Sequence, residues 1–189
     1  MDFEEDLKNS LKILNEGGVI LYPTDTVWGL GCDATNSSAV ENIFKIKSRS
    51  DSKSLIILVD GEPMLERYVR DIPEIVFELI EVSDNPLTII YPAGKNLASG
   101  VCYDDGSVGI RICQDDFCRE LIRRFRRPLV STSANISGEP SPSDFGEIDS
   151  KVTDSAGYVV MHRQNDRQKH LSSPIIKVEL NGVIKIIRK

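Results

Sequence analysis

Short apolar runs, each the length of a buried strand, alternate with helical patterns along most of this chain. The predicted strands of this part are residues 19–22, 55–59, 87–91, 108–112 and 128–131. The predicted helices are residues 3–14, 40–46, 64–69, 75–82 and 115–125, where apolar side chains recur at helical spacing. Because a sheet covered by helices is built from such alternation, the chain is predicted to adopt an α/β fold.

Three β-rich runs close the chain, at residues 157–161, 174–180 and 183–188. Asn181-Gly182, between the last two runs, predicts a hairpin with a type I′ turn. A hairpin is antiparallel, whereas strands linked by helices are often parallel, so both directions should occur in one sheet. We therefore predict a mixed α+β arrangement, an open twisted mixed sheet flanked by helices, in a single domain of residues 1–189.

Charge, cysteines and hydropathy narrow the class of protein. The formal net charge of -6 argues against coating nucleic acid with the whole surface, because such binding depends on neutralising phosphates. The four cysteines form no C-x-x-C pair and the two histidines complete no zinc pattern, so unpaired thiols are expected. The acidic N-terminus lacks the features of a signal peptide, and no segment has the length of a membrane span. We expect a cytoplasmic protein that does not enter a membrane.

Four polar clusters fall at the ends of predicted strands or helices. They are residues 23–26, Lys47-Ser48-Arg49 with Lys53, Ser107 with Arg111, and residues 131–135. The first belongs to the block PTDTVWGLGCDATN and the last opens SANISGEPSPS, both predicted to be polar loops. Open α/β sheets gather ligands in crevices at strand ends, where hydroxyls and cations from separate segments converge. These clusters are therefore the candidate site.

The residue types in these clusters favour binding of a nucleotide and a small anion. No Ser-His-Asp arrangement and no G-x-x-x-x-G-K-[ST] loop is present, and GLGCDA lacks the full dinucleotide fingerprint. Arginine and lysine beside serine, threonine and asparagine suit a triphosphate and a carboxylate, since nucleotidyl transfer relies on positioning and charge neutralisation. The residues alone lead to this class of ligand and no further.

Each cluster also has a purely structural interpretation. Lys47, Arg49 and Lys53 could be the solvated end of a helix. Residues 24–26 could cap a turn, residues 131–135 could form an N-cap with an Asx-turn, and Arg111 could be a surface residue. The arginines between 119 and 127 are expected to form a solvated helix face. His162 and His170 are expected to pack or face solvent, and Trp28 to be a partly buried aromatic beside its loop.

Several separated motifs together resemble the YrdC/YciO family. They are GGVILYPTDTVWGLGCDA, IFKIKSRSDSKSLIILV, SVGIRI, STSANISGEPSPS and the SSPIIKV segment, in the family's order and spacing over nearly the whole chain. The family's hallmark K-x-R and S-x-N pairs occur as Lys47-Ser48-Arg49 and Ser133-Ala134-Asn135. The resemblance implies a YrdC-like fold and an L-threonylcarbamoyladenylate synthase, which makes threonylcarbamoyl-AMP and pyrophosphate from L-threonine, bicarbonate and ATP, usually with magnesium.

The same resemblance assigns roles by position. The implied catalytic residues are Lys47, Arg49, Ser133 and Asn135; the implied ATP contacts are Arg49, Lys53, Ser107, Ser133, Ser141 and Arg188; the implied threonine contacts are Thr26, Arg111, Ser131 and Ser173. The product would feed t6A formation at position 37 of tRNA, which makes the t6A transfer machinery and tRNA expected partners. No metal ligand and no oligomeric state is assigned, although Asp25 is considered as a magnesium ligand.

The sequence departs from the family pattern at several positions near these motifs. They are Trp28 for a common tyrosine, Ser50 for a proline, Leu58 where some members place a histidine near threonine, and Pro174 and Lys177 for threonine and aspartate. Two other functions remain open at this point: a non-catalytic module of the same fold that binds tRNA or double-stranded RNA, and a carbamoyl-transfer module like that of hydrogenase maturation proteins. The chain's acidity and the lack of accompanying domains argue against them.

Overall fold

The computed structural model describes residues 3–48, 55–166, 168 and 171–189. Its helices are α1 (Phe3–Asn15), α2 (Ser37–Ile46), α3 (Glu62–Tyr68), α4 (Ile75–Glu81), α5 (Asp116–Phe125) and α6 (Ser150–Ser155), with a 3₁₀ turn at Phe145–Glu147. Its strands are β1 (Ile20–Tyr22), β2 (Gly29–Gly31), β3 (Ile56–Val59), β4 (Thr88–Tyr91), β5 (Val108–Ile112), β6 (Leu129–Ser133), β7 (Tyr158–Val159), β8 (Ile175–Val178) and β9 (Ile184–Arg188).

The strands of the described residues form one mixed sheet in the order β7-β1-β2-β6-β3-β5-β4-β8-β9. The pairs β1–β7, β3–β5 and β4–β8 are parallel, and the other neighbours are antiparallel. Strands β7 and β9 lie at the open edges. The prediction of an open mixed sheet flanked by helices is confirmed, and β7 and β8 join the C-terminal part of the chain to strands from its first half.

Burial of apolar side chains explains why these segments fold together. Strand β3 is buried throughout its last three residues, as a central strand covered on both faces must be. Helices α1 and α5 pack against each other, with the rings of Phe3 and Phe117 edge to face at 5.4 Å. The buried Asp6 of α1 accepts hydrogen bonds from the Tyr158 hydroxyl at 2.6 Å and from the backbone N–H of His162 at 2.8 Å. This carboxylate fastens α1 to the segment that follows β7.

The prediction that residues 23–36 form only a loop is wrong, because Gly29–Gly31 form strand β2. The segment has few residues with a strand preference, so its pattern does not indicate a strand. Its glycines allow neighbouring side chains to approach the backbone closely. A Cβ on Gly31 would lie 2.5 Å from the ring of Tyr22, and one on Gly29 would lie 3.2 Å from the Ser131 hydroxyl. Here β2 pairs with β1 and β6.

Three other local features differ from what the sequence predicted. Strand β6 continues to Ser133, so part of the predicted polar loop is strand. Helix α6 and the 3₁₀ turn were not predicted, because they are too short for a periodic pattern and depend on caps from Asp149 and Asp144. The C-terminal hairpin is confirmed, but its turn is not type I′: Asn181 has no positive φ, whereas Gly182 has φ 80° at the end of a three-residue loop.

Within the described ranges, no helix is both long enough and apolar enough to cross a lipid bilayer.

Candidate functional site

A polar cavity of about 180 Å³ lies where β6, β5, the loop before β2 and the C-terminal segment meet. Its lining residues are Thr26, Val27, Gly29, Leu55, Ile56, Arg111, Ser131, Thr132, Ser133, Ser141, Ser172, Ser173 and Arg188. Seven of these carry hydroxyl groups and two are arginines, so the wall can donate many hydrogen bonds. Such a wall suits a ligand rich in carboxylate or phosphate oxygens.

Arg111 is the buried cation of this cavity. It lies on β5 beside Leu58 of β3, and its side chain is 5% exposed. The two Nη atoms donate to the Ser173 hydroxyl at 3.3 Å and the Thr26 hydroxyl at 3.2 Å, and Nη2 lies 3.0 Å from a carboxylate oxygen of Asp25. The guanidinium is therefore fixed between two segments, residues 25–26 and Ser173, that are distant from it in sequence. The surface interpretation of Arg111 is wrong.

The loop that carries Thr26 is held in place from both sides. The Thr24 hydroxyl donates to the Val27 carbonyl at 2.8 Å and accepts from the Thr26 N–H at 3.0 Å, which folds the loop on itself. From outside, Arg163 donates to the Thr24 carbonyl at 3.1 Å and is also paired with Asp115 at the start of α5. Thr26 thus presents its hydroxyl to Arg111 from a fixed backbone. The interpretation that Thr24 caps the turn is correct as well, since its hydroxyl bonds backbone groups of the same loop.

The C-terminal segment folds back over the cavity, as the assignment of Arg188 required. Arg188 of β9 donates through Nε and Nη2 to the Ser173 carbonyl at 3.0 and 2.7 Å. Burial, and to a lesser degree the charge of Arg111, lowers the pKa of the Arg188 guanidinium below its ordinary value. The Ser173 hydroxyl shares a 2.8 Å hydrogen bond with the buried Thr88 hydroxyl. Two cations therefore flank Ser173, which favours an anion between them.

The hallmark residues Lys47, Ser133 and Asn135 interlock. The Lys47 ammonium is buried and donates to the backbone carbonyls of Ser133 at 2.6 Å and Asn135 at 2.7 Å. The Ser133 hydroxyl donates to the Asn135 side-chain oxygen at 2.5 Å, and the Asn135 amide donates to the Glu139 carbonyl at 2.6 Å. Of these three, only Ser133 is among the residues that line the cavity. In this state Lys47 and Asn135 shape the end of β6, and their direct catalytic roles stay predictions.

The other assigned residues divide into three groups. Ser131 and Ser141 line the cavity. Ser107 does not line the cavity, and its hydroxyl donates to Asp105 at 2.5 Å. Together with a second hydrogen bond from the Ser107 backbone N–H, this contact lowers the pKa of Asp105 to about 2. Arg49 and Lys53 lie outside the described residues, as does Ser50. Their roles, like all roles assigned by resemblance, stay predictions.

Ser172 and Thr88 contribute to the site but belong to none of the predicted polar clusters, whereas Thr132 belongs to the cluster of residues 131–135 and was given no role. Thr132 and Ser172 line the cavity, and Thr88 supports Ser173 from β4. Ser172 adjoins the assigned residue Ser173, and this adjacency could have indicated that Ser172 also faces the site. Thr88 lies in an apolar run with no motif around it, and only the β4–β8 pairing brings it near.

Several residues interpreted as structural make structural contacts, and His170 lies outside the described residues. Arg123 and Arg124 of α5 pair with Glu120, Arg124 also pairs with Glu4, and His162 stacks near Phe117. Trp28 is more deeply buried than predicted and contacts Phe145 with ring centroids 4.8 Å apart. The four cysteines are unpaired, as expected. Among the described residues, no group of three or more His, Cys, Asp or Glu side chains could hold a metal ion.

Departures from the family pattern have local consequences. Leu58 is fully buried, so an apolar side chain lies beside Arg111 where some members are expected to place a histidine. Lys177 forms an ion pair with Asp105 at 3.1 Å outside the cavity, and the Pro174 carbonyl accepts the Thr88 N–H. These substitutions leave the polar wall of the cavity intact.

Comparison with known proteins gives consistent matches. The Sua5/yciO/yrdC family model, described as telomere recombination, matches residues 12–189. The chain is 35% identical over 163 residues to a threonylcarbamoyl-AMP synthase of Pseudoalteromonas translucida, covering 85% of this chain and 87% of that protein. It is also 35% identical over 152 residues to the Stenotrophomonas maltophilia protein of that name, covering 79% of this chain and 82% of that protein.

A solved structure supports the same relationship. Sua5 of P. abyssi, in complex with L-threonine, superposes with a TM-score of 0.84 and 25% identity, over 97% of this chain. The match spans 54% of the Sua5 chain, so about half of that protein corresponds to this one. The predicted resemblance is confirmed over nearly the whole length, and this chain belongs to the Sua5/yciO/yrdC family.

Proposed function

We infer that this chain is a threonylcarbamoyl-AMP synthase, a nucleotidyltransferase that serves t6A modification of tRNA. The names of its relatives support this enzyme class over an RNA-binding module. The observation that carries the inference to the residues is the buried Arg111, held by Thr26 and Ser173 at a hydroxyl-lined cavity. Two of the α5 arginines that could suggest RNA binding, Arg123 and Arg124, are paired with carboxylates instead.

The threonine carboxylate is assigned to Arg111, with hydroxyls of Thr26, Ser131 and Ser173 around the amino acid. A guanidinium matches a carboxylate by charge and by its planar array of donors. Threonine bound to the superposed Sua5 structure supports this choice of amino acid. Burial strengthens the attraction, because little water competes for the cation. Leu58, buried beside Arg111 on the neighbouring strand, offers no polar side chain to compete for the guanidinium.

The reaction joins three substrates without a covalent enzyme intermediate. The threonine amine takes up the carbon of bicarbonate with loss of water, and an oxygen of the resulting carbamate attacks the α-phosphorus of ATP. The α-phosphorus forms its new bond to that oxygen as the bond to pyrophosphate breaks. The chain contributes position and positive charge: Arg111 holds the carboxylate, and Arg188, with Arg49 and Lys53 as predicted ATP contacts, offsets phosphate charge. Ser133, Ser141 and Ser107 are the other assigned ATP contacts.

Magnesium is proposed only as a companion of ATP. The described part of the chain offers no cluster of carboxylates for a metal, and Asp25 is occupied by Arg111 and by the backbone N–H of Gln114. Phosphate oxygens and water commonly supply the ligands of magnesium bound with a nucleotide. The proposed product is passed to the t6A transfer machinery. Because the reaction uses ATP and serves tRNA modification, we place it in the cytoplasm.

The test is a pyrophosphate-release assay in which threonine, bicarbonate and ATP are omitted in turn. Release is expected only with all three, because pyrophosphate leaves in the step that uses the carbamate. Serine in place of threonine controls for recognition of the side chain and is expected to react more slowly. Pyrophosphate release that persists without threonine or without bicarbonate would show a different nucleotidyl transfer and would overturn the function.

A further inference from the structure

The ion pair between Asp25 and Arg111 is incompletely satisfied, and this sets it apart from the rest of the described interior. Three buried side-chain nitrogen or oxygen atoms in the described residues lack a hydrogen-bond partner: Ser10 Oγ, Asp25 Oδ1 and Arg111 Nε. Two of the three belong to this one pair. Oδ1 lies 3.0 Å from Nη2, but no N–H bond points at it, so the contact is electrostatic. Unsatisfied buried groups cost stability, and in native proteins they concentrate at functional sites.

A second buried carboxylate shows what a structural ion pair looks like in this chain. Asp33 accepts from the Thr35 N–H at 2.8 Å and the Thr35 hydroxyl at 2.7 Å through Oδ1, and from Arg127 at 2.5 Å through Oδ2. Both oxygens are satisfied, and neither Asp33 nor Arg127 lines the cavity. The contrast indicates that the Asp25–Arg111 pair is arranged for something other than stability.

The second oxygen of Asp25 shows how the carboxylate is itself fixed. Oδ2 accepts the backbone N–H of Gln114 at 3.1 Å, which ties Asp25 to the chain just beyond the end of β5. The Asp25 side chain is only 6% exposed and is not part of the cavity lining. It therefore contacts Arg111 from outside the cavity lining, while the hydroxyls of the lining residues Thr26 and Ser173 contact the Nη atoms.

We propose that Asp25 is a positioning residue for the substrate amino acid: it acts through Arg111, holding the guanidinium so that the carboxylate of threonine meets a pre-oriented cation. This inference rests on the proposed function, because it takes the carboxylate of an amino acid as the ligand of Arg111. A buried arginine with only two neutral hydroxyl acceptors would be free to turn toward other acceptors. The fixed charge of Asp25 removes that freedom before the substrate arrives.

The experiment compares threonine binding by calorimetry in wild type, Asp25→Asn and the matched control Asp33→Asn. Asp25→Asn keeps the size of the side chain and an acceptor for Gln114 but removes the charge. Its Kd for threonine is expected to rise at least about tenfold, as expected when a binding group loses its orientation. Asp33→Asn is expected to lower the melting temperature and to leave the Kd within about twofold. A Kd for Asp25→Asn that is unchanged or lower would overturn the proposal.

A double-mutant cycle separates action through Arg111 from direct action on the substrate. In the Arg111→Gln background, Asp25→Asn should cause no further loss of threonine affinity, because the residue through which it acts is gone. A further tenfold loss in that background would contradict the proposal. If Asp25→Asn does not fold, the wild type still decides the question by NMR of the Arg111 side chain. Separate, slowly exchanging Nη signals are expected, and a single averaged signal would overturn the proposal.

The same measurements distinguish failure of this inference from failure of the proposed function. Wild type that binds threonine but releases no pyrophosphate with all substrates would overturn the function and leave the role of Asp25 to be judged by the binding data. Wild type that binds no threonine would overturn both.

Discussion

Arg111→Lys is expected to lower kcat/KM for threonine by about 30-fold or more. Lysine keeps the positive charge, but it cannot reach the Thr26 and Ser173 hydroxyls together or present two parallel donors to a carboxylate. Disrupting one member of a buried, hydrogen-bonded charge pair typically costs about 2 to 5 kcal/mol, and the lower figure corresponds to roughly 30-fold. Steady-state pyrophosphate release at varied threonine concentration measures the effect.

The control for this change is Arg119→Lys, the same substitution at an exposed position on α5. It is expected to leave the kinetic constants for threonine unchanged. The effect of Arg111→Lys should appear in the dependence on threonine, with the KM for ATP changed little. A variant that loses ATP affinity and keeps threonine affinity would place the wrong substrate at Arg111.

Lys47→Met is expected to lower the free energy of unfolding by roughly 2 kcal/mol or more, besides reducing activity. The buried ammonium donates to the carbonyls of Ser133 and Asn135, and each buried acceptor left without a donor costs about 1 to 3 kcal/mol. Methionine retains the length and the apolar stem of the side chain, so the change removes the charge and the donors more than the packing. Urea unfolding gives the free energy difference.

The matched control is Lys45→Met, which makes the same substitution two residues earlier at an exposed position of α2. It should change stability by less than about 0.5 kcal/mol, as is usual for surface positions. If Lys47→Met is as stable as Lys45→Met while activity is lost, Lys47 serves the phosphates directly and does not hold the end of β6.

The parts of the fold that could be predicted from sequence are those with a clear period or a strong local signal. Helix α5 carries its apolar residues on one face with Asp115 as an N-cap, and β3 is a continuous apolar run between helices. Strand β2 could not be predicted, because Gly29–Gly31 has almost no side-chain signal. Its glycines make room for Tyr22 and Ser131, and that requirement exists only after the sheet has formed. The predicted turn type was also wrong. Asn-Gly favours a two-residue type I′ turn, but the observed hairpin loop is three residues long.

The candidate site divides in a similar way. Motifs predicted that Thr26, Ser131 and Arg111 would converge, and strand pairing places Ser131 opposite Ile56 and Arg111 beside Leu58. What the motifs could not show is which atoms already have partners. Lys47 donates to two backbone carbonyls, and Asp25 contacts Arg111 from outside the cavity lining; both facts depend on distances between segments far apart in sequence. The positions of cationic residues in the sequence therefore predict where the site lies better than they predict what each residue does there.

The most direct test of the central claim is the structure of the product made from ¹⁵N-threonine, ¹³C-bicarbonate and ATP. A single site that joins the three substrates predicts one product whose ¹³C is bonded to ¹⁵N and, through oxygen, to the phosphorus of AMP. NMR would show this as a ¹³C signal split by coupling to both ¹⁵N and ³¹P. Formation of AMP or ADP with no ¹³C–¹⁵N coupled species at any time would contradict the account.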